Sequence, residues 1–219
     1  SYLSVIAGLL LMRELRQAPS REGGSFWQEI GAGVGHALGR DPLRLSIGLL
    51  MVFSVAGMPL YVLLPVFAGE LGAGAKGFGV LSAASGLGAM IGALVLAGRP
   101  SAAGLGRLIP RSLAGFGLTL GGLALSGALW LSCVLMFLAG YSAIRVLAGV
   151  NTVLQDLTGE RYLGRVMSFY SMVFIGLTPI GSFTVGAMAS RLGVHATVAF
   201  QAAICLAAGL YFLPRLAAA

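Results

Sequence analysis

Arg145 is the only charged side chain in the apolar run Leu131–Asn151. A guanidinium at the centre of a lipid-embedded helix costs about 2.5–3.5 kcal/mol on insertion scales. Two readings account for its presence. It stands six residues before Asn151, about 9 Å inside the end of that run at the helical rise. At that depth a long side chain snorkels toward headgroups. Alternatively, it faces a water-filled cavity and pairs with an anionic group. At 100° per residue Val134, Leu138, Tyr141, Arg145 and Thr152 share one face. Tyr141 and Thr152 make that face more polar than the opposite one. A guanidinium beside a phenol suits an anionic or aromatic ligand, through charge-assisted hydrogen bonds and ring contacts.

Other chemistry is excluded by what the apolar runs omit. None of the six holds an Asp or Glu, and His36 and His195 fall in polar connections. Proton-driven pumps usually carry the proton on a buried carboxylate or His, so this stretch supplies no evident coupling group. Cys133 and Cys205 lie inside apolar runs without metal-ligand spacing, so no metal or cofactor is expected. Gly72–Gly79 (GAGAKGFG) lacks the Gly-Lys-Ser/Thr ending of a phosphate loop. HExxH and GxSxG are absent as well, and the chain reads as a non-enzyme.

Composition names the solvent. Of 219 residues, 58% are apolar and 10% charged, with mean hydropathy +0.93. A soluble domain runs at about 45–50% apolar and roughly 25% charged, and surface-to-volume scaling leaves no way to hide the excess. Most of this chain is solvated by lipid. The net charge of +7 would suggest nucleic acid in a soluble protein. No basic and aromatic patch accompanies it here, so no nucleic-acid partner is expected.

Six crossings are predicted: Leu45–Phe67, Phe78–Ala97, Leu108–Gly127, Leu131–Asn151, Val166–Ala189 and Ala196–Leu213. The third and fourth divide the uncharged run Ser112–Ile144, which is too long for one economical crossing of about 20 residues. The break is set at Ser126–Trp130. With that split, eleven of the fourteen Lys and Arg residues fall on one side, against Lys76 and Arg191 on the other. The Arg-rich loops are therefore expected in the cytoplasm. Arg99–Arg111, Asp156–Arg165 and Arg191–His195 read as loops. Residues 13–44 form a polar cytoplasmic segment with a short amphipathic helix over Ser25–Leu38, capped by Ser25 with Gln28 three residues on. Ser1–Met12 is apolar but too short to span. It reads as the end of a preceding helix, which makes the chain one half of a larger assembly.

Prolines and glycines mark where helices bend or touch. Pro59 and Pro65 sit in one crossing and Pro179 in another; each removes a donor and frees a carbonyl. Gly88-xxx-Gly92, Gly117-xxx-Gly121 and Ser182-xxx-Gly186 let helix backbones approach closely.

Two stretches carry a resemblance. Asn151–Gln155 (NTVLQ) and Gly164–Ser182 (GRVMSFYSMVFIGLTPIGS) resemble the tenth-to-eleventh helix region of major facilitator superfamily transporters, in the bacterial branch of enterobactin exporters and macrolide-efflux-like proteins. Pro59–Pro65 (PLYVLLP) and Gly77–Leu96 look like that branch's seventh and eighth helices. The resemblance implies an all-α membrane protein: a C-terminal six-helix bundle over residues 45–219, with 1–12 ending helix six and 13–44 as the central loop. It also implies an N-terminal six-helix half across a substrate cavity and residence in a bacterial inner membrane. Pro59, Tyr61, Tyr141 and Arg145 would then lie near the cavity, and Gly88, Gly92, Pro65 and Pro179 at kinks or the contact between halves. The superfamily's gating loop would involve Arg99 and Arg107, although its Asp is absent here. The expected function is secondary efflux of a small molecule, such as a drug or siderophore, by alternating access. The alternative is a non-transporting membrane remnant or an assembly subunit.

Overall fold

A chain in lipid satisfies its backbone by closing each N–H on the carbonyl four residues back, and the predicted crossings do so except where the first is interrupted before Pro59. The computed structural model describes residues 35, 39–99 and 104–218. The first crossing is compound: α1 (Asp41–Val52), a π turn (Phe53–Gly57) and α2 (Leu60–Glu70). Then follow α3 (Gly74–Ala97), α4 (Leu105–Leu125), α5 (Leu129–Leu157), α6 (Glu160–Leu192) and α7 (Val194–Ala218). Counting α1–α2 as one, six helices among the described residues are long and apolar enough to span. The fold is an all-α six-helix membrane bundle. Segment 1–12 and, apart from Gly35, the expected surface helix Ser25–Leu38 lie outside the described residues.

The split of the long uncharged run holds: α4 ends at Leu125 and α5 starts at Leu129. Ser126 stabilises the break, its hydroxyl 2.9 Å from that of Ser132. The expected loops are shorter than their polarity suggested. Helices run past the apolar residues into polar ones, because an end turn that reaches water tolerates charge. Only Thr158 and Gly159, both extended, replace the expected loop Asp156–Arg165. Gly193 alone separates α6 from α7; its φ of +84° suits glycine and reverses the chain in one residue. His195 is thus in the first turn of α7, and Arg107 and Arg111 are on α4 rather than in a loop. At the other end of the loop segment, Asp41–Arg44 is already helical. Pro42 occupies the first turn, Asp41 sits at the positive helix end, and Arg44 pairs with it at 2.7 Å. The acids Asp41, Glu70, Asp156 and Glu160 all lie in such end turns.

The first crossing forms the centre. Leu49, Leu50, Phe53, Leu60, Leu64 and Phe67 are almost wholly buried, as expected of a helix that is apolar all round. Phe53 meets Phe116 of α4 edge-on at 5.3 Å between ring centroids. α3 packs on α5, and α4 packs between α5 and α7. At one end His195 joins three helices. Its Nδ1 donates to the Ala124 carbonyl at 2.7 Å, and its Nε2 lies 3.3 Å from Glu70 Oε2. At the other end Arg40 donates to the Leu157 carbonyl at 3.0 Å, satisfying an acceptor left over at the end of α5.

The π turn explains how the central helix carries Pro59. Met58 N–H reaches back five residues to Phe53 (2.9 Å), and Tyr61 and Val62 then bond only three back, to Met58 and Pro59. The Ala56 carbonyl is taken from outside the helix, by Nε2 of the buried Gln201 on α7 at 2.8 Å. Gln201→Leu therefore strands a buried acceptor. The variant is expected to lose about 1–2 kcal/mol of stability, read as a lower melting temperature of the protein in detergent. An unchanged melting temperature would mean that the π turn does not depend on this bond.

Candidate functional site

Small residues set how closely α3 and α5 approach, and that distance builds the site. A Cβ on Gly88 would fall within the Phe137 carbonyl, 2.7 Å from its carbon. One on Gly92 would stand 2.7 Å from the Tyr141 carbonyl oxygen, and one on Gly140 would meet the Ser85 backbone. The two backbones are in contact over this stretch, without side chains between them. Gly88 and Gly92 thus serve a contact inside this bundle, between α3 and α5. Gly117 plays the same part between α4 and α7, where a Cβ would be 2.5 Å from Leu206 N. Gly186, of the third small-residue pair, has nothing within 4 Å of a Cβ position.

The α3–α5 contact holds the phenols at one level. Ser85 is buried against Gly140, and Tyr61 of α2 shares a hydrogen bond with it, Oη to Oγ 2.8 Å. Tyr141 follows Gly140 directly, and its backbone lies on Gly88 and Gly92. Tyr61 and Tyr141 are therefore joined through two small residues. Arg145 comes one turn later on α5, with Cζ 4.8 Å above the Tyr141 ring centroid. Its Nε is shielded from solvent and has no hydrogen-bond partner among the described residues. A guanidinium on a ring face gains a cation–π contact, and this one keeps donors unspent. The face predicted from periodicity is largely uncovered: Val134 and Leu138 are 51% and 41% exposed, Thr152 is exposed, and Tyr141 and Arg145 are partly buried.

α5 runs 29 residues to Leu157, about 43 Å against a hydrocarbon core of about 30 Å. Its last turn, with Gln155 and Asp156, therefore extends beyond that core, and the depth of Arg145 is set by the polar residues from Asn151 onward.

A polar cluster continues the line toward the end of α5. Tyr170 of α6 donates to the Leu147 carbonyl at 3.4 Å, one turn before Asn151 on α5. Asn151 Oδ1 in turn accepts from Gln155 Nε2 at 2.5 Å. These three residues were legible only as parts of sequence motifs. The spacing of Asn151 and Gln155 by four was the available signal for a shared helix face.

The remaining expected positions lie elsewhere. Pro59 is buried beneath α6, where a Cβ on Gly181 would approach its ring to 2.9 Å. Pro65 and Pro179 are inside α2 and α6 and are exposed. Arg99 follows α3 and Arg107 lies on the first turn of α4, both exposed. No cluster of His, Cys, Asp or Glu able to hold a metal occurs among the described residues.

No curated protein and no solved structure matches this chain. A family of transport proteins does. The transmembrane secretion effector family, part of the major facilitator superfamily, matches residues 1–217. With nearly its full length covered, and with six helices long and apolar enough to span a membrane, the chain belongs to the transmembrane secretion effector family of major facilitator transporters.

Proposed function

We propose that this chain carries one side of a substrate pathway in a secondary efflux transporter that works by alternating access. The observation that carries the reading is the uncovered α5 face with Arg145 near its midpoint. A guanidinium near the middle of α5, resting on a phenol and part-exposed on that face, suits a ligand that arrives and leaves. The substrate class is a small amphipathic molecule with an anionic group for Arg145 and an apolar or aromatic body for Val134, Leu138 and Tyr141. A second six-helix half is the partner across this face. Rocking of the two halves opens the site alternately to each side. The basic ends of the helices, with Arg44, Arg107, Arg111 and Arg165, face the cytoplasm of a bacterial inner membrane. The branch of enterobactin and macrolide-type exporters is the proposed neighbourhood within the family.

Labelling with a membrane-impermeant maleimide tests this directly. The background replaces Cys133 and Cys205, and single cysteines are placed at Gly127, Gly159 and Leu138. Gly127→Cys is expected to label from outside intact cells, and Gly159→Cys only in inverted vesicles. Leu138→Cys is expected to label from both sides, since an alternating site meets water on each in turn. Labelling of Leu138→Cys from one side alone would refute alternating access and favour a non-transporting bundle.

A further inference from the structure

A groove of about 590 Å³ opens between the start of α1 and the end of α7. The two helices are antiparallel neighbours, so both termini lie at the end of the bundle that carries most of its arginines. The lining changes character with depth. Asp41, Arg44 and Arg215 form the rim. On α1 the series 41, 44, 45, 48 follows one helix face inward, and it ends on Leu45 and Gly48. On α7 the matching step runs from Arg215 back to Tyr211 and Phe212. The rim is thus charged and the floor apolar.

Two features keep the groove open and its rim organised. A side chain at Gly48 would project toward Phe212, where even a Cβ comes within 3.3 Å of the ring; the hollow exists because that residue is glycine. Arg215 is held in place. Its Cζ lies 3.6 Å from the Tyr211 ring centroid, and its Nη1 donates to the Tyr211 carbonyl at 2.8 Å. Arg44 bonds Asp41 at 2.7 Å, which offsets one positive charge. Arg215 has no carboxylate partner among the described residues. The rim therefore keeps one net positive charge and a set of fixed N–H donors. A guanidinium so arranged matches phosphate geometry.

We propose that this groove binds an anionic phospholipid, with the phosphate between Arg44 and Arg215 and an acyl chain along Leu45, Gly48 and Phe212. The order of the lining selects the lipid over a free anion, because a soluble phosphate has no use for an apolar floor beneath the rim. Basic pockets between membrane helices take lipid headgroups in this way. The site is separate from the α5 face and goes beyond the transport reading. Only the leaflet, the cytoplasmic one, rests on the orientation proposed above.

Lipid retention by the full, delipidated transporter in detergent provides the test, using native mass spectrometry with phosphatidylglycerol, zwitterionic phosphatidylethanolamine and inorganic phosphate as probes. The wild type is expected to prefer phosphatidylglycerol. Each arginine at such a surface is worth about fivefold, so Arg44→Gln with Arg215→Gln together should remove about thirtyfold. Arg215→Lys keeps the charge without the planar fork and should retain part of the preference, and Asp41→Asn should bind more tightly. Gly48→Leu should weaken retention with both arginines intact. Melting temperatures identify any variant that has misfolded, and Asp41→Asn carries the test independently because it predicts a gain. The proposal is overturned if the double Gln variant keeps the preference. It is also overturned if Arg215→Lys loses as much as Arg215→Gln, which would assign Arg215 to packing alone. Displacement of the lipid by millimolar inorganic phosphate would show a soluble-anion site and overturn it too.

Discussion

Gly88→Ala and Gly140→Ala are each expected to abolish recovery of folded protein, or to lower its stability by about 3 kcal/mol or more, the upper end of overpacking costs. The reason is the identity of the colliding atoms. A Cβ on Gly88 enters the Phe137 carbonyl, and one on Gly140 enters the Ser85 backbone. A flexible side chain would step aside at little cost; a helix backbone cannot. The whole of α3 would have to withdraw from α5, and close packing is what holds helices together in lipid. The Tyr61–Ser85 hydrogen bond would be lost in the same movement, because Ser85 is positioned by Gly140. Gly86→Ala and Gly79→Ala are the controls. Both lie on α3 with nothing within 4 Å of the added carbon, and alanine in place of glycine adds up to about 1 kcal/mol of helix preference. Melting temperatures in detergent, with yields from matched expression, separate the two groups. If Gly88→Ala melts with Gly86→Ala, the backbones are not in contact and the site is not built as described.

That contrast also marks how far this sequence can be read unaided. The six crossings were legible because a span needs length and apolarity, and both are local. The break after Leu125 was legible because an uncharged run of that length exceeds one crossing. Gly88 and Gly92 announced a close contact by their spacing, but not with which helix; that depends on the topology of the bundle. Gly140 gave no signal, since a lone glycine in an apolar run has no spacing to report. The π turn was equally hidden. Pro59 predicts a disturbance, but its form depends on Gln201, which is 145 residues from the Ala56 carbonyl it satisfies. Helix ends were misplaced toward the apolar centre for a simpler reason. Polarity reports where a chain meets water, and these helices continue into water.

Arg145 lies near the midpoint of α5, whose last turn continues into water. A structural residue and a ligand-binding residue at this depth predict opposite pairs of results. If Arg145 held the bundle together, Arg145→Ala would lower stability and transport alike. Among the described residues its Nε has no hydrogen-bond partner, and its guanidinium lies over the ring of Tyr141 on its own helix. Removing a charge that costs about 2.5–3.5 kcal/mol at a helix centre should therefore leave the melting temperature unchanged or raise it. Transport should fall by about 10- to 100-fold, the value of a charge-assisted hydrogen bond of about 1.5–3 kcal/mol to an anionic substrate. Arg145→Lys keeps the charge without the planar fork and should retain part of the rate. Melting curves and uptake into everted vesicles, taken on the same preparations, read both quantities. A parallel fall in both would assign Arg145 to packing, while a stable and inactive protein would assign it to the ligand. The ligand reading predicts the second outcome, because among the described residues Nε of Arg145 has no hydrogen-bond partner to lose.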